Sequence, residues 1–308
     1  METINQIQDK ALMWYFHPNE CVRMMRTNIF DNIDINEDLT PSYKDDIKVG
    51  VVIGTNGAVP YIDLSLHYLI NVNGIKHILI HDDGSDKIPE FKKLQNKYNK
   101  NGVKVDLYST GKNLWHKSCI GSIGDQNCFA IGLKWAKENK LDILVKFSRR
   151  LIACYNWIDD FKKLVKESDG ITFGSYCVKD KFPLRTELLG MNVNAWNNPY
   201  VINMMSWFIE NEYSIFAEHF MDKLAKVLDY QNNSEKYKKW KESHKTGYIH
   251  SGYVHWKDVL GTNRYNNEDR NKNVLWHMFK NDNDYLNESK KVFGDKYSLD
   301  DFKNIVNI

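Results

Sequence analysis

The chain has 308 residues, 42% of them apolar and 27% charged, with a formal charge of +2. That length and balance bury a real core in one large domain or two modest ones, and they exclude a disordered or fibrous chain. A near-neutral charge gives no global attraction to nucleic acid, and no window approaches the ~20 apolar residues of a membrane-spanning helix.

The opening residues, METINQIQDK, carry acids and no apolar core, so they do not read as a secretory signal. ALMWYF and CVRMMRTNIF read as short helices, and DNIDINEDLTPSYKDD as an acidic connector. A new register begins at Ile47. KVGVVIG is a β-branched run ending in glycine, as a buried parallel strand would. Ile62, Leu66, Leu69 and Ile70 then recur at helical spacing. HILI is a second strand, followed by HDDGS. FKKLQNKYNK reads as an exposed helix, VKVDLYS as a third strand, and Asp125 as the cap of a helix through Phe129, Leu133 and Ala136. DILVKF is a fourth strand. This alternation predicts an α/β fold: a mostly parallel, open sheet with helices on both faces. Beyond Ile152 the spacing predicts a helix over WIDDFKKLVKES, a strand in ITFGSYCV, an irregular FPLRTELLGMNVNAWNNP, and helices near 200–211 and 214–230. KYKKWKESHK reads as a solvated basic face, open to contact with an anionic glycolipid or membrane surface. Five cysteines (Cys21, Cys119, Cys128, Cys154, Cys177) form no CxxC pair, which favours neither zinc nor a disulfide framework. A reducing cytoplasm is the expected setting.

HDDGS falls where an open α/β sheet binds ligands, beyond the carboxyl end of a strand. A carboxylate there accepts hydrogen bonds from a nucleobase or ribose, and Gly84 lets the backbone turn. Asp83-Gly84 alone is also a common hairpin turn, but that needs a strand next, and SDKIPEFKKL reads as a turn into a helix.

Taken together, VGVVIGTNGAVPYIDLSLHYLI, HILIHDDGSDK and GDQNCFAIGLKWAKENKLDILVKF resemble the family 2 glycosyltransferases and their GT-A, Rossmann-like fold over residues 47–165. The resemblance implies an N-terminal helical extension at 1–46, a nucleotide-sugar-binding half at 47–165, and an acceptor-binding half with a loop-rich tail at 166–308. It implies that Gly54, Thr55, Asn56, and Asp82 or Asp83 hold the nucleoside, with Gly84, Ser85 and Lys146 beside them. Gly54 stands where the family often has proline.

That family usually places Asp-x-Asp after the fourth strand to hold Mg²⁺ or Mn²⁺ against the leaving diphosphate. Here the window is Lys146-Phe147-Ser148-Arg149-Arg150, and no carboxylate falls between Asp142 and Asp159. The metal motif is absent, and no cofactor is expected to be required. Two readings stand. Arg149 and Arg150 supply the positive charge themselves, since arginine binds phosphate bidentately and stays charged. Or they are ordinary surface charges on a member that binds nucleotide or glycan without catalysis.

An inverting transfer also needs a base for the acceptor hydroxyl. The family places it in the second half, near a helix start, where FAEHFMDKL offers Glu218; Glu187 is the main rival and Asp180 a weaker one. Glu218 is equally what an exposed helix glutamate looks like. Arg185, Arg264 and His277 are the further expected contacts to diphosphate or acceptor, with Arg270 and Lys272 in the same lid-like tail. His250, His255, Tyr253, Trp256 and Trp276 suit sugar rings or simply pack the tail onto the core. The expected activity is transfer of a sugar from a nucleotide-sugar donor to a glycan or glycolipid acceptor, without nucleic acid. A nucleotidyltransferase is a third alternative, but GTNGAVPY is a poor phosphate loop.

Overall fold

A computed structural model describes residues 37–114, 122–154, 156–174, 184, 186–210, 217–243, 254–255, 276–277 and 282–303. The expected open sheet is present. Four parallel strands form its first part: β1 (Val49–Thr55), β2 (His77–Asp82), β3 (Lys104–Ser109) and β4 (Ile143–Ser148). Helices α1 (Val59–Asn71), α2 (Ile88–Tyr98) and α3 (Ser122–Glu138) connect them. After β4 come a short strand β5 (Leu151–Ile152), helix α4 (Ile158–Ser168), strand β6 (Thr172–Gly174) and strand β7 (Leu188–Asn192). Helices α5 (Val193–Trp196), α6 (Pro199–Glu210), α7 (Ala217–Tyr230) and α8 (Glu235–Ser243) follow. Strands β8 (Val254–His255) and β9 (Trp276–His277) and helices α9 (Asp282–Phe293) and α10 (Leu299–Lys303) complete the described chain.

The main sheet runs β3-β2-β1-β4-β7-β6-β8, and β5 pairs with β9 in a separate two-stranded ribbon. β7 is antiparallel to both its neighbours, β4 and β6. β1 is buried on both faces, which is why it reads as an unbroken apolar run. Odd and even positions divide between two cores. Val51, Ile53, Ile78, Ile80, Val145 and Phe147 pack under α1, α2 and α4. Val52, Leu79, Leu144, Leu189 and Met191 pack under α3, α5, α6 and α7. Lys146 has the same parity as Leu144 and so enters the second of these cores.

Three readings change. FPLRTELLGMNVNAWNNP is not irregular throughout: LLGMN is a fully buried strand in register with β4, Val145 opposite Gly190. A strand buried on both faces shows no alternation, and this one is only five residues long between polar flanks. Asp125 lies in the first turn of a helix that starts at Ser122, not at its cap. KYKKWKESHK is not simply a solvated stretch. Its residues 236–243 lie within α8, whose Tyr237 is buried in the core and whose Lys241 donates to Asp229 Oδ2 at 2.7 Å.

The C-terminal helices lie against the outer face of α1, where Tyr61, Leu64 and Tyr68 meet Tyr285 and Phe302. Their anchor is Asp63, which is fully buried. Its Oδ1 accepts from Lys97 (2.8 Å) and Tyr98 (2.7 Å), and its Oδ2 from Lys296 (2.7 Å) and Tyr297 (2.9 Å). Burial alone would raise its pKa, but these donors hold the carboxyl below its ordinary value.

Asp63→Asn therefore leaves two partly buried ammonium groups without their counter-charge. We expect a loss of about 2–3 kcal/mol at neutral pH, read by urea titration. Because the folded pKa is depressed, the contribution is complete above the unfolded value of 3.8 and fades only as pH falls below it. A variant as stable as the wild type at pH 7 would contradict this role.

Candidate functional site

The carboxyl ends of β1, β2, β3 and β4 share one edge of the sheet, with Thr55 opposite Asp82, Asp82 opposite Ser109, and Gly54 opposite Ser148. HDDGS knits the loops on that edge. Asp82 is fully buried, and its carboxylate accepts from Ser85 N (2.9 Å), Ser109 Oγ (3.2 Å) and Gly57 N (3.4 Å). Asp83 donates its N–H to Thr55 O (2.7 Å), accepts at its own carbonyl from Asn56 Nδ2 (2.6 Å), and takes Leu114 N at Oδ1 (3.1 Å). Gly84 has φ +67°, and a Cβ there would lie 2.1 Å from the Lys112 carbonyl carbon. No side chain fits at that position, so the glycine is what lets the β3 loop close over this turn. The two carboxylates thus spend much of their capacity on backbone amides, where they set the shape of the edge.

A second cluster lies at the ends of β4 and β7. Lys146 is 3% exposed, and its ammonium sits 3.0 Å from Asp125 Oδ1 and 5.2 Å from the Phe129 ring centroid. Burial alone would lower its pKa, but the charge and hydrogen bond of Asp125, with Cys128 and Glu187, together hold it above the ordinary lysine value. The Thr186 hydroxyl lies 3.5 Å from Asp125 Oδ2 and 3.4 Å from Glu218 Oε1, so the start of α7 reaches the cluster. Burial, with Asp125 and Glu187 as like charges nearby, raises the Glu218 pKa against the pull of Lys146. Glu187 enters just before β7, and its carbonyl accepts the Ser148 N–H at 2.7 Å.

Arg149 and Arg150 form the turn between β4 and β5. Burial and the like charge of Arg150 bring the Arg149 pKa down to about 10, while Tyr61, Tyr285 and Asp125 act in the opposite direction. The turn therefore lies within the field of the Lys146–Asp125 cluster. Strand β9 places the backbone of His277 opposite Leu151, one residue from Arg150. The structure thus gathers Lys146, Arg149, Arg150, Glu187 and Glu218 at one end of the sheet, beside the edge built by Gly54, Thr55, Asn56, Asp82, Asp83, Gly84 and Ser85. Arg185, Arg264, Asp180 and residues 1–36 lie outside the described residues.

Asp125 and Thr186 were not anticipated as members of this site. One signal pointed to Asp125: a lysine inside the apolar run ILVKF needs a carboxylate within reach, and the first turn of the covering helix supplies it, itself partly exposed. Among the described residues the donor set does not fit the divalent ion implied by the family resemblance. The Asp125 oxygen nearest β4 already holds an ammonium, which repels a second cation. Among the described residues no group of three His, Cys, Asp or Glu side chains is arranged to hold a metal. No step below passes through one.

No family model matches the chain, and no curated protein matches it. Solved structures do. The glycosyltransferase GlyE of Streptococcus pneumoniae TIGR4 is 12% identical over 84% of this chain and 63% of its own, with a TM-score of 0.45. The galactosyltransferase LgtC, solved with donor and acceptor sugar analogs, is 11% identical over 57% of this chain and 70% of its own, TM-score 0.41. The mannosyltransferase PcManGT of Pyrobaculum calidifontis, solved with GDP-Man and Mn²⁺, is 12% identical over 72% of this chain and 64% of its own, TM-score 0.40. At such identities residue roles do not carry over from these proteins.

Glu218 offers a test that needs no substrate. Its folded pKa is raised, so stability falls as pH rises from the ordinary glutamate value of 4.5 through the folded value, and the full cost is present above it. Glu218→Gln removes the cost and is expected to raise Tm by about 1–3 °C at pH 7, with no gain at pH 4. A lower Tm at pH 7 would mean that the carboxylate is a structural partner instead.

Proposed function

We propose that this chain is a glycosyltransferase that moves a sugar from a nucleotide-sugar to a glycan or glycolipid acceptor. The observation that carries the reading is one cluster at the carboxyl edge of the sheet. It combines a two-arginine turn with a partly buried carboxylate whose ionisation is disfavoured. The first suits a departing diphosphate and the second an acceptor hydroxyl.

On this reading the nucleoside lies along Gly54–Asn56 and the HDDGS edge, whose shape Asp82 and Asp83 set from below. The diphosphate meets Arg149 and Arg150, with His277 adjoining. The acceptor hydroxyl attacks the anomeric carbon and passes its proton to Glu218. The bond from that carbon to the diphosphate breaks, its electron pair leaves with the diphosphate oxygen, and the arginines stabilise the charge that develops there. A single displacement of this kind inverts the anomeric centre. Burial raises the Glu218 pKa, with Asp125 and Glu187 adding to it and Lys146 drawing it back. Such a base works best with a pKa drawn toward the working pH. Glu187 is the alternative base.

The test is nucleoside diphosphate release from a panel of nucleotide-sugars, run in EDTA and with Mn²⁺. We expect turnover in EDTA. Arg149→Ala or Arg150→Ala should lower kcat by about 10²–10³-fold, the usual cost of losing one preorganised charge donor. The acid limb of the pH–rate profile should lie above the ordinary glutamate value of 4.5 and vanish with Glu218→Gln. Turnover only with added Mn²⁺ would overturn the arginine role. Donor-induced thermal stabilisation without release on any acceptor would favour a binding module.

A further inference from the structure

The segment carrying the two arginines is held from behind by parts of the chain far from it in sequence. Tyr285, fully buried on α9, donates its hydroxyl to the Arg150 carbonyl at 2.5 Å. Ser65 on α1 donates to the Leu151 carbonyl at 2.8 Å, and Asn73 to the Ala153 carbonyl at 2.8 Å. β9 pairs with Leu151 and Ile152 on the remaining side. On the sheet side, the Ser148 N–H is fixed to the Glu187 carbonyl at 2.7 Å. The Tyr285 ring is itself fixed, edge-on to Tyr61 with centroids 4.5 Å apart and stacked on Phe302 at 6.3 Å. A hydroxyl on so constrained a ring has little freedom to follow a wandering carbonyl. It sets where that carbonyl points, and with it the plane of the turn.

We propose that Tyr285 is a positioning residue for the Arg149–Arg150 turn, and that α9 is thereby part of the diphosphate site although it contributes no group to the ligand. This rests on the reading of the two arginines as the diphosphate-binding turn. Geometry supports the assignment in two ways. The Tyr285 contact is to the arginine backbone, so it acts on orientation and not on charge. The docking contacts of α1 with the C-terminal helices (Tyr61 with Asp282, Tyr68 with Glu288, and Asp63 with Lys296 and Tyr297) are made between side chains. Tyr285 differs from them in that its hydroxyl reaches a backbone carbonyl of the turn.

The test uses the full chain and inorganic pyrophosphate as probe, with affinity measured by titration calorimetry and Tm recorded beside it. Tyr285→Phe keeps the ring and removes the hydroxyl. Pyrophosphate binding should weaken about five- to tenfold, the scale of one lost hydrogen bond. Ser65→Ala, a smaller change on the same segment, should weaken it in the same direction. Tyr68→Phe should lower Tm comparably and leave pyrophosphate affinity within about twofold. Tyr285→Phe added to the Arg149→Ala/Arg150→Ala double variant should weaken binding no further than the double variant alone, because the hydroxyl acts through the two arginines. If Arg149→Ala and Arg150→Ala weaken binding while Tyr285→Phe and Ser65→Ala do not, the positioning role is overturned and the proposed function stands. Tyr68→Phe weakening binding as much as Tyr285→Phe would reduce the effect to general loosening and also overturn it. If neither arginine variant changes pyrophosphate affinity, the diphosphate reading falls and the positioning role falls with it.

Discussion

A lysine ammonium inside a sheet has to be matched by a carboxylate, and matching Lys146 with Asp125 fixes much of what surrounds them. Asp125 lies in the first turn of α3, so the pair pins the start of that helix over the end of β4. The residues beside it then fall on the neighbouring strands in order. Gly124 meets the Asp83 carboxylate so closely that a Cβ would lie 2.7 Å from Oδ2. Asn127 pairs with His81 at 2.9 Å, and Cys128 covers Gly54. Burial brings the His81 pKa down to about 4 and pushes the Cys128 thiol up to about 12, so both are neutral at ordinary pH. The His81 and Cys128 side chains therefore add no charge beside the Asp82 and Asp83 carboxylates.

The charged end at β4 is not at electrostatic rest. Desolvation disfavours ionised Glu218 and protonated Arg149 alike, and each also has like charges close by. A ligand that brings an anion to the arginines and a transferable proton to the glutamate relieves both at once. Asp63 shows the opposite pattern, whereas burial raises the Asp229 pKa to about 6 despite its pairing with Lys241 of α8. Asp63 accepts from two lysines and two tyrosines, and its pKa moves down. The direction of each shift reports the balance of donors against burial, and Asp229 shows that a structural carboxylate can be raised as well.

The alternation of strands and helices from Ile47 to Ser148 was legible because parallel strands and amphipathic helices write distinct periods into the chain. HDDGS was legible as a strand end, though not as a network consuming its own carboxylates, since a loop's backbone amides leave no mark in the sequence. β7 was not legible, being five residues without alternation. Asp125 and Thr186 stand 21 and 40 positions from Lys146 (146 − 125 and 186 − 146), and only the pairing of α3 and β7 with β4 makes them neighbours. Glu218 was named from its place near a helix start, yet its apolar neighbours suggested that it pointed away from the core. The structure turns it toward Thr186 because the first turn of α7 lies over the end of the sheet and not beside it.

The two halves of the candidate site are built by different means. The carboxylates come from α3, the residues leading into β7, and α7, all packed on one face of the sheet. The arginine turn is fixed by α1, β9 and α9, from the opposite face and its outer layer. On the proposed reading, proton handling and diphosphate handling thus rest on separate supports that meet only at β4. Contacts within one support share a backbone shift and should couple, whereas contacts on different supports have no common partner except the strand between them. Lys146 belongs to that strand and Arg149 follows directly from its end. Its rigidity comes from β1 and β7 pairing on its two sides, and it is what keeps the two halves at a fixed separation.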